Sequence, residues 1–334
     1  MPDKPTISVV MCTCNGENRH LREQLDSILT QTLLPNEVII QDDCSTDGTM
    51  AILEEYAHRA PSGVKICFSG NAKRLGINDN FFGAMAKATC DYIAISDQDD
   101  IWLPTKLERQ MATIGNNMMC VCRSEPFCEN GAVARYDRRK PNCNLIRLFY
   151  ASMMGHCQFF KRDLLQYVPT AAQCPEIYRR TLYDVILGTV AAALDSITLL
   201  DEVLVRQRRY ADAATYVAYD KHRVRSADNA LSMVLYGLMH YRSIKPFMNA
   251  HFKARLDFLK CIKADNKIYR DGLRLLESES RSGLRALVKT TLMYVKYRHT
   301  LFYTRENDPV AFVRALLHPF MQIYNYSYLQ HRKY

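Results

Sequence analysis

Asp97-Gln98-Asp99-Asp100 places three carboxylates within four residues. Such a group repels itself and costs stability unless something positive sits against it. Hard divalent cations prefer oxygen ligands, so Mg²⁺ or Mn²⁺ is the natural partner of Asp97, Asp99 and Asp100. Mg²⁺ typically takes one or two carboxylates together with substrate phosphates, so an Asp-x-Asp at a strand end suits a metal–diphosphate. By type alone, Asp99 or Asp100 can equally cap a helix that starts near Pro104. A second acidic group is Asp42-Asp43-Cys44-Ser45-Thr46-Asp47-Gly48-Thr49. A carboxylate there can accept hydrogen bonds from a base N–H or from ribose hydroxyls, or the stretch is an acidic turn in which Ser45 or Thr46 caps the next helix. Thr13, Asn15 and Glu17 form a third polar group with the same ambiguity.

All three groups follow short apolar runs. Ile7–Met11, Glu37–Ile40, Val64–Phe68 and Tyr92–Ile95 read as strands. Between them, Leu21, Leu25, Ile28 and Leu29, then Met50, Ile52, Leu53 and Tyr56, then Phe81, Phe82 and Met85 recur at helical spacing. Alternation of this kind predicts an α/β fold, a mostly parallel sheet with helices on both faces. Ligands of such sheets gather outside the carboxyl ends of the strands. The strand-end position therefore favours the ligand-binding reading of the three polar groups over the turn-and-cap reading.

Downstream, residues 101 to about 215 read as mixed α+β, with Ile197–Leu200 and Val203–Val205 as strands, and about 113–216 as the acceptor half. Residues 217–334 read as a basic helical region. Leu231, Val234, Leu235 and Leu238 form one stripe and Phe252, Leu256, Leu259 and Ile262 another, with Asp271–Ser282 as a charged connection or helix end. A length of 334 residues allows one large domain, here residues 1–216 with a nucleotide-binding half over 5–112, plus this appendage. Charge divides along the same line: residues 1–220 carry a net −4 and residues 221–334 a net +13. A basic third can meet an anionic membrane surface or a phosphate-bearing substrate, or be a solvated helical face. Tyr324, Tyr326 and Tyr328 near its end suit a membrane interface, a core or a homodimer seam. The 12 cysteines show no zinc spacing. With no leader-like start, they read as free thiols of a cytoplasmic chain, peripheral at most on the inner membrane face. The best candidate membrane span, Leu182–Val205, is broken by Asp184, Asp195, Asp201 and Glu202.

Taken together, Ile7–Glu17, Gln24–Thr32, Pro35–Thr49, Asn78–Phe81 and Ser96–Trp102 resemble family 2 glycosyltransferases of the GT-A fold. Ser96-Asp97-Gln98-Asp99-Asp100-Ile101-Trp102 is similar to the rhamnosyltransferase-like branch. The resemblance covers residues 5–112 well and extends to about 216. It implies that Thr13, Asn15 and Glu17 line a nucleotide pocket and that Asp42 or Asp43 holds the base. It places Asn71, Arg74 and Asn78 near the donor, the guanidinium of Arg74 being suited to a diphosphate. Asp97 would touch ribose or sugar, Asp99 would ligate the metal, and Asp100 would help either task. Cys14 stands where the family usually has Tyr, which weakens base stacking there.

Family members also carry a Glu-Asp or His-Asp pair at a later helix start. Tyr183-Asp184 stands at that place here, so Asp184 is the expected catalytic base, its alternative being a capping carboxylate. His156, in Gly155-His156-Cys157-Gln158, reads as a structural histidine. Arg208 and Arg209, followed by Tyr210 and Ala213-Ala214-Thr215, resemble a basic segment that closes over the donor diphosphate.

The implied activity is inverting, metal-dependent transfer from a nucleotide-diphosphate sugar to a glycan or lipid-linked acceptor in bacterial surface polysaccharide synthesis: capsule, O-antigen or exopolysaccharide. The alternative is a non-catalytic nucleotide-sugar-binding or scaffold protein of the same fold. A nucleic-acid partner is not expected, since the rim is acidic and no recognised module is present. A dinucleotide oxidoreductase would need G-x-G-x-x-G after the first strand, where Gly16 stands alone.

Overall fold

The computed structural model describes residues 5–128, 139–209, 230–303 and 307–329. Tyr210, Ala213, Ala214, Thr215 and the expected boundary at 216 lie outside the described residues. The four expected strands form β1 (Ile7–Thr13), β2 (Glu37–Asp42), β3 (Lys65–Gly70) and β4 (Tyr92–Ser96), all parallel, in the order β3-β2-β1-β4. They are joined by α1 (Leu21–Leu29), α2 (Thr49–His58) and α3 (Ile77–Met85). β2 is buried along its whole length and β1 nearly so, as strands covered on both faces are.

Past β4 the sheet changes character. β5 (Ile101–Trp102), α4 (Lys106–Ile114) and β6 (Met119–Phe127) follow in the chain. Next come α5 (Leu145–Leu148), β7 (Gln158–Lys161), α6 (Pro175–Arg180), α7 (Tyr183–Ala193) and β8 (Ile197–Arg208). The sheet order continues β4-β7-β6-β8-β5. β7 is antiparallel to both β4 and β6, and β5 is antiparallel to β8, so only the first half of the sheet is purely parallel. The two runs expected between 197 and 205 are one strand. Asp201 and Glu202 interrupt its apolar pattern without breaking it, because Arg123 and Arg109 pair with them. β5 pairs Ile101 with Arg206 and Trp102 with Val205, which ties the residues just after Asp100 to the end of β8.

The basic third is helical: α8 (Ala230–Cys261), α9 (Lys267–Glu279), α10 (Leu284–Lys296), α11 (Arg298–Leu301) and α12 (Asp308–Leu329). Both expected stripes lie at opposite ends of α8. Phe252, Leu256 and Leu259 are buried, whereas Leu231, Leu235 and Leu238 are exposed. Of the two readings of Asp271–Ser282 the helix end holds, and it is more than an end: through Glu279 the stretch is the greater part of α9. Asn266 caps that helix by accepting from the Tyr269 N–H at 2.8 Å. Two of its carboxylates misled because they are buried and each is paired: Asp271 with the exposed Lys296 at 2.6 Å, Glu279 with the buried Lys245 at 3.1 Å. Gly272 lets α9 approach α5 closely, since a Cβ there would lie 2.8 Å from the Leu145 side chain.

Apolar packing is continuous from the sheet region into the helices. Tyr150, just after α5, packs 5.8 Å from Phe252 and 5.5 Å from Tyr294, ring centre to ring centre. Burying a side chain such as Phe252 contributes about 1.5–3 kcal/mol. Tyr324 and Tyr326 are buried, Tyr326 lying 5.4 Å from Phe252, so they belong to the core. The side chain of Tyr328 lies outside the described residues. Among the described residues, no helix is long and apolar enough to cross a membrane.

Candidate active site

The ends of β1 and β2 are laced together. Thr13 Oγ1 donates to Asp42 at 2.8 Å, and the Ser45 N–H donates to the same carboxylate at 2.8 Å. Asn15 adopts a left-handed backbone (φ 50°), which Asn tolerates well, and its side-chain oxygen accepts from the Thr46 N–H at 2.9 Å. Glu17 accepts from the Gly48 N–H at 2.8 Å at the start of α2, where negative charge is favoured. Neither Ser45 nor Thr46 caps that helix; Asp47 accepts from the Thr49 N–H instead. Cys44, also left-handed at φ 61°, turns the chain sharply between Asp43 and Ser45.

Asp43 organises the next loop. It accepts from Leu75 N–H at 2.7 Å, Gly76 N–H at 2.9 Å and the Asn71 amide at 2.9 Å. Burial alone would raise its pKa, but these donors and the nearby Arg74 hold it below the usual carboxylate range. Arg74 is exposed on the rim, one guanidinium nitrogen 3.0 Å from Cys14 Sγ. Asn78 reaches elsewhere: its amide nitrogen bridges the carbonyls of Tyr178 at 2.8 Å and Thr181 at 2.9 Å, directly before α7.

The acidic loop after β4 faces this frame across β1. Met11 pairs with Ser96 and Thr13 with Asp42, so one strand separates the two acidic groups. Cys12 lies between them. Its thiol pKa is pushed up by burial and then by the carboxylates of Asp97 and Asp43. Asp97 Oδ2 and Asp100 Oδ2 each lie 3.0 Å from Nδ1 of the buried His156. Burial would push the imidazole pKa down, but Asp100 and Asp97 outweigh it and favour the imidazolium. Burial, followed by repulsion from Asp97 and Asp100, pushes Asp99 up to about 7. Neither Asp99 nor Asp100 caps a helix by its side chain: α4 begins at Lys106 without a side-chain cap.

Arg208 braces this loop. Its N–H donates to Asp100 Oδ1 at 3.0 Å, its Nε to the Asp99 carbonyl at 3.0 Å, and its terminal nitrogen pairs with Glu23 at 2.7 Å. That guanidinium is buried, while Arg209 stands half-buried where β8 ends, its N–H donating to the Phe127 carbonyl at 3.0 Å.

Asp184 occupies the first turn of α7, half-buried, with no side-chain cap at that helix start. Burial pushes its carboxyl up to about 6, opposed by the Val185 N–H and reinforced by the charge of Asp97. Tyr183 points into the core and stacks on Phe81, ring centres 3.9 Å apart. Gly155 is required beneath it, since an added Cβ would run into the Tyr183 hydroxyl. Gly155→Ala should therefore destabilise the protein by about 1–3 kcal/mol, as overpacking does, read as a lower urea midpoint at unchanged slope.

The residues fit a divalent cation. Ligand atoms of Asp97, Asp100 and His156 lie within 4.8 Å of one another, and a cation taken there would displace the proton that His156 holds in its absence. Asp100 Oδ2 is buried without a hydrogen-bond partner, its approach to His156 lacking hydrogen-bond alignment. A carboxylate crowded by its neighbours and partly unpaired is what a cation relieves. Asp99, expected as the ligand, lies outside that trio.

The sequence model of Glycosyl transferase family 2 matches residues 8–187, more than half of the chain. The chain belongs to glycosyl transferase family 2. Among similar proteins, dTDP-rhamnosyl transferase RfbG of Shigella flexneri is 39% identical over 160 residues, covering 46% of this chain and 55% of RfbG. Uncharacterized glycosyltransferase MJ1057 of Methanocaldococcus jannaschii is 36% identical over 116 residues, covering 34% of this chain and 39% of that one. These matches span less than two-thirds of either relative. A crystal structure of S. aureus TarS residues 1–349 in complex with UDP-GlcNAc superposes with a TM-score of 0.56 at 17% identity. That alignment covers 98% of this chain and 92% of TarS 1–349, and it shows a shared GT-A fold.

One residue of this family 2 site escaped the sequence reading. His156 looked like an isolated structural histidine. The signal lies in strand pairing: β7 pairs Ala94 with Phe159, and continuing that antiparallel register sets His156 opposite Asp97.

Proposed function

We propose that the chain is an inverting, metal-dependent glycosyltransferase. It moves a sugar from a nucleotide-diphosphate sugar to a hydroxyl of a glycan or lipid-linked saccharide in bacterial surface polysaccharide synthesis, on the cytoplasmic side. One observation carries the reading: Asp42, Asp43, Asp97, Asp99, Asp100 and Asp184 come from separate chain segments yet converge around the ends of β1 and β4. Residues 1–216 carry the chemistry in this reading, and residues 217–334 complete the molecule.

The nucleoside lies against Thr13, Asn15 and Glu17, with the base at Asp42 or Asp43. Asn71, Arg74 and Asn78 border the donor. Asp97 and Asp100, with Asp99 beside them, are the residues that hold Mg²⁺ or Mn²⁺. The chemistry such an ion supplies there is neutralisation of charge on the diphosphate leaving group. Arg74 and Arg209 add positive charge at the rim, and Arg208 keeps the acidic loop in place. Asp184 takes the proton of the acceptor hydroxyl. The oxygen bonds to the anomeric carbon while the bond to the diphosphate breaks, and the nucleoside diphosphate leaves.

Thermal shift against a panel of nucleotide sugars tests the donor class. One nucleotide diphosphate should raise Tm by several degrees in the presence of Mn²⁺ and by much less with chelator. Indifference of Tm to every nucleotide, with and without metal, would remove the reading. Binding without any hydrolysis or transfer would favour a non-catalytic nucleotide-sugar protein.

A further inference from the structure

Helix α10 is apolar and cationic on a surface that nothing else in the described chain covers. Its buried side is set by Thr290 and Tyr294. On the outer side, Leu284, Val288 and Leu292 recur every fourth residue and are 76%, 48% and 63% exposed. Residues four apart share one helix face, so these form a single stripe. Arg285 and Lys289, each one position further on, run beside it and are exposed.

Charge selects the partner. The stretch 281–298 contains five Lys and Arg and no Asp or Glu. Lys296 pairs with Asp271 and Arg298 with Asp308. Arg281, Arg285 and Lys289 form no ion pair among the described residues. An apolar stripe alone would suit many partners. A stripe bordered by unpaired cations, with no acid interspersed, suits a surface that is apolar beneath and anionic above. That is the character of helices that lie in the interface of a charged bilayer. The adjoining α12, packed on α10, also exposes Phe312 and Leu316.

We propose that α10 docks the protein on an anionic phospholipid bilayer. Leu284, Val288 and Leu292 enter the headgroup region, and Arg281, Arg285 and Lys289 meet lipid phosphates. The inference rests on this helix surface and not on the transfer chemistry.

Flotation of the full chain with lipid vesicles tests it. The protein should float with vesicles of phosphatidylcholine plus phosphatidylglycerol, stay behind with phosphatidylcholine alone, and release in high salt. Arg285→Glu with Lys289→Glu should weaken partitioning by on the order of a hundredfold or more, since each cation near such a surface strengthens binding several-fold. Leu284→Ser with Leu292→Ser should also weaken it while leaving circular dichroism unchanged. No flotation with anionic vesicles, equal flotation with neutral ones, or variants that float like the parent would overturn the proposal. So would serine variants that halve the mass in light scattering without altering flotation, because a second copy would then be what covers the stripe. Flotation reads no turnover, so its failure leaves the enzymatic reading standing, and the reverse holds too.

Discussion

Asp184→Asn should bind the donor as tightly as the parent and transfer sugar about 10²–10⁴-fold more slowly, the usual contribution of a general base. The substitution keeps size and removes only the ability to take a proton. Donor affinity should hold because the diphosphate and base contacts belong to other segments in the proposed arrangement. Asp184 is suited to the role by its surroundings: burial brings its carboxyl up to about 6. A base must be unprotonated to act. Its pKa is raised, so the active form is dominant above pH 6 and disappears as pH falls through that value. The kcat profile of the parent should therefore show an acidic limb near pH 6, higher than an unperturbed aspartate at about 3.9 would give. Full turnover by the Asn variant would assign the proton to another group. A parent profile flat down to pH 4.5 would do the same.

Asp97→Ala should have the larger effect. Asp97 touches His156, lies across Cys12 from Asp43 and raises the carboxyl of Asp184. Its loss should abolish metal-dependent donor binding and lower kcat/KM by at least about 10³-fold, as expected where electrostatic stabilisation of a leaving group is removed. Calorimetric titration of the donor with Mn²⁺ present and absent reads the first effect directly. In the parent the two titrations should differ; in the variant they should coincide. A variant that keeps the parent's metal dependence would place the cation elsewhere. Asp99→Ala separates the readings further. If Asp99 is the principal ligand, it should match Asp97→Ala; if the trio of Asp97, Asp100 and His156 holds the ion, its loss should be milder.

The parallel half of the sheet was legible because β1, β2 and β4 are short apolar runs ending in polar residues. That pattern belongs to strands covered on both faces. The acidic loop was legible because three carboxylates in four residues need a reason to be there. What was hidden depends on contacts between distant segments. His156 reaches Asp97 only through the pairing of β7 with β4, which no local pattern announces. Arg208 read as a clamp on the donor, yet it is buried against Glu23 and the Asp99 carbonyl. Tyr183 stood where the family has His or Glu, and its stacking on Phe81 makes it a core residue. α9 was read only as a connection or a helix end because Asp271 and Glu279 suggest solvent, whereas each is neutralised by a cation from another helix.

Asn78 ties the start of α3 to the segment that leads into α7. Its single amide nitrogen holds the carbonyl of Tyr178 in α6 and that of Thr181 just before α7, and it does so from the start of α3, a helix that follows the loop organised by Asp43. A shift of that loop would therefore be felt at the first turn of α7, where Asp184 sits. The two bonds thus make the spacing between the Asp43 loop and the first turn of α7 a fixed dimension of the cleft.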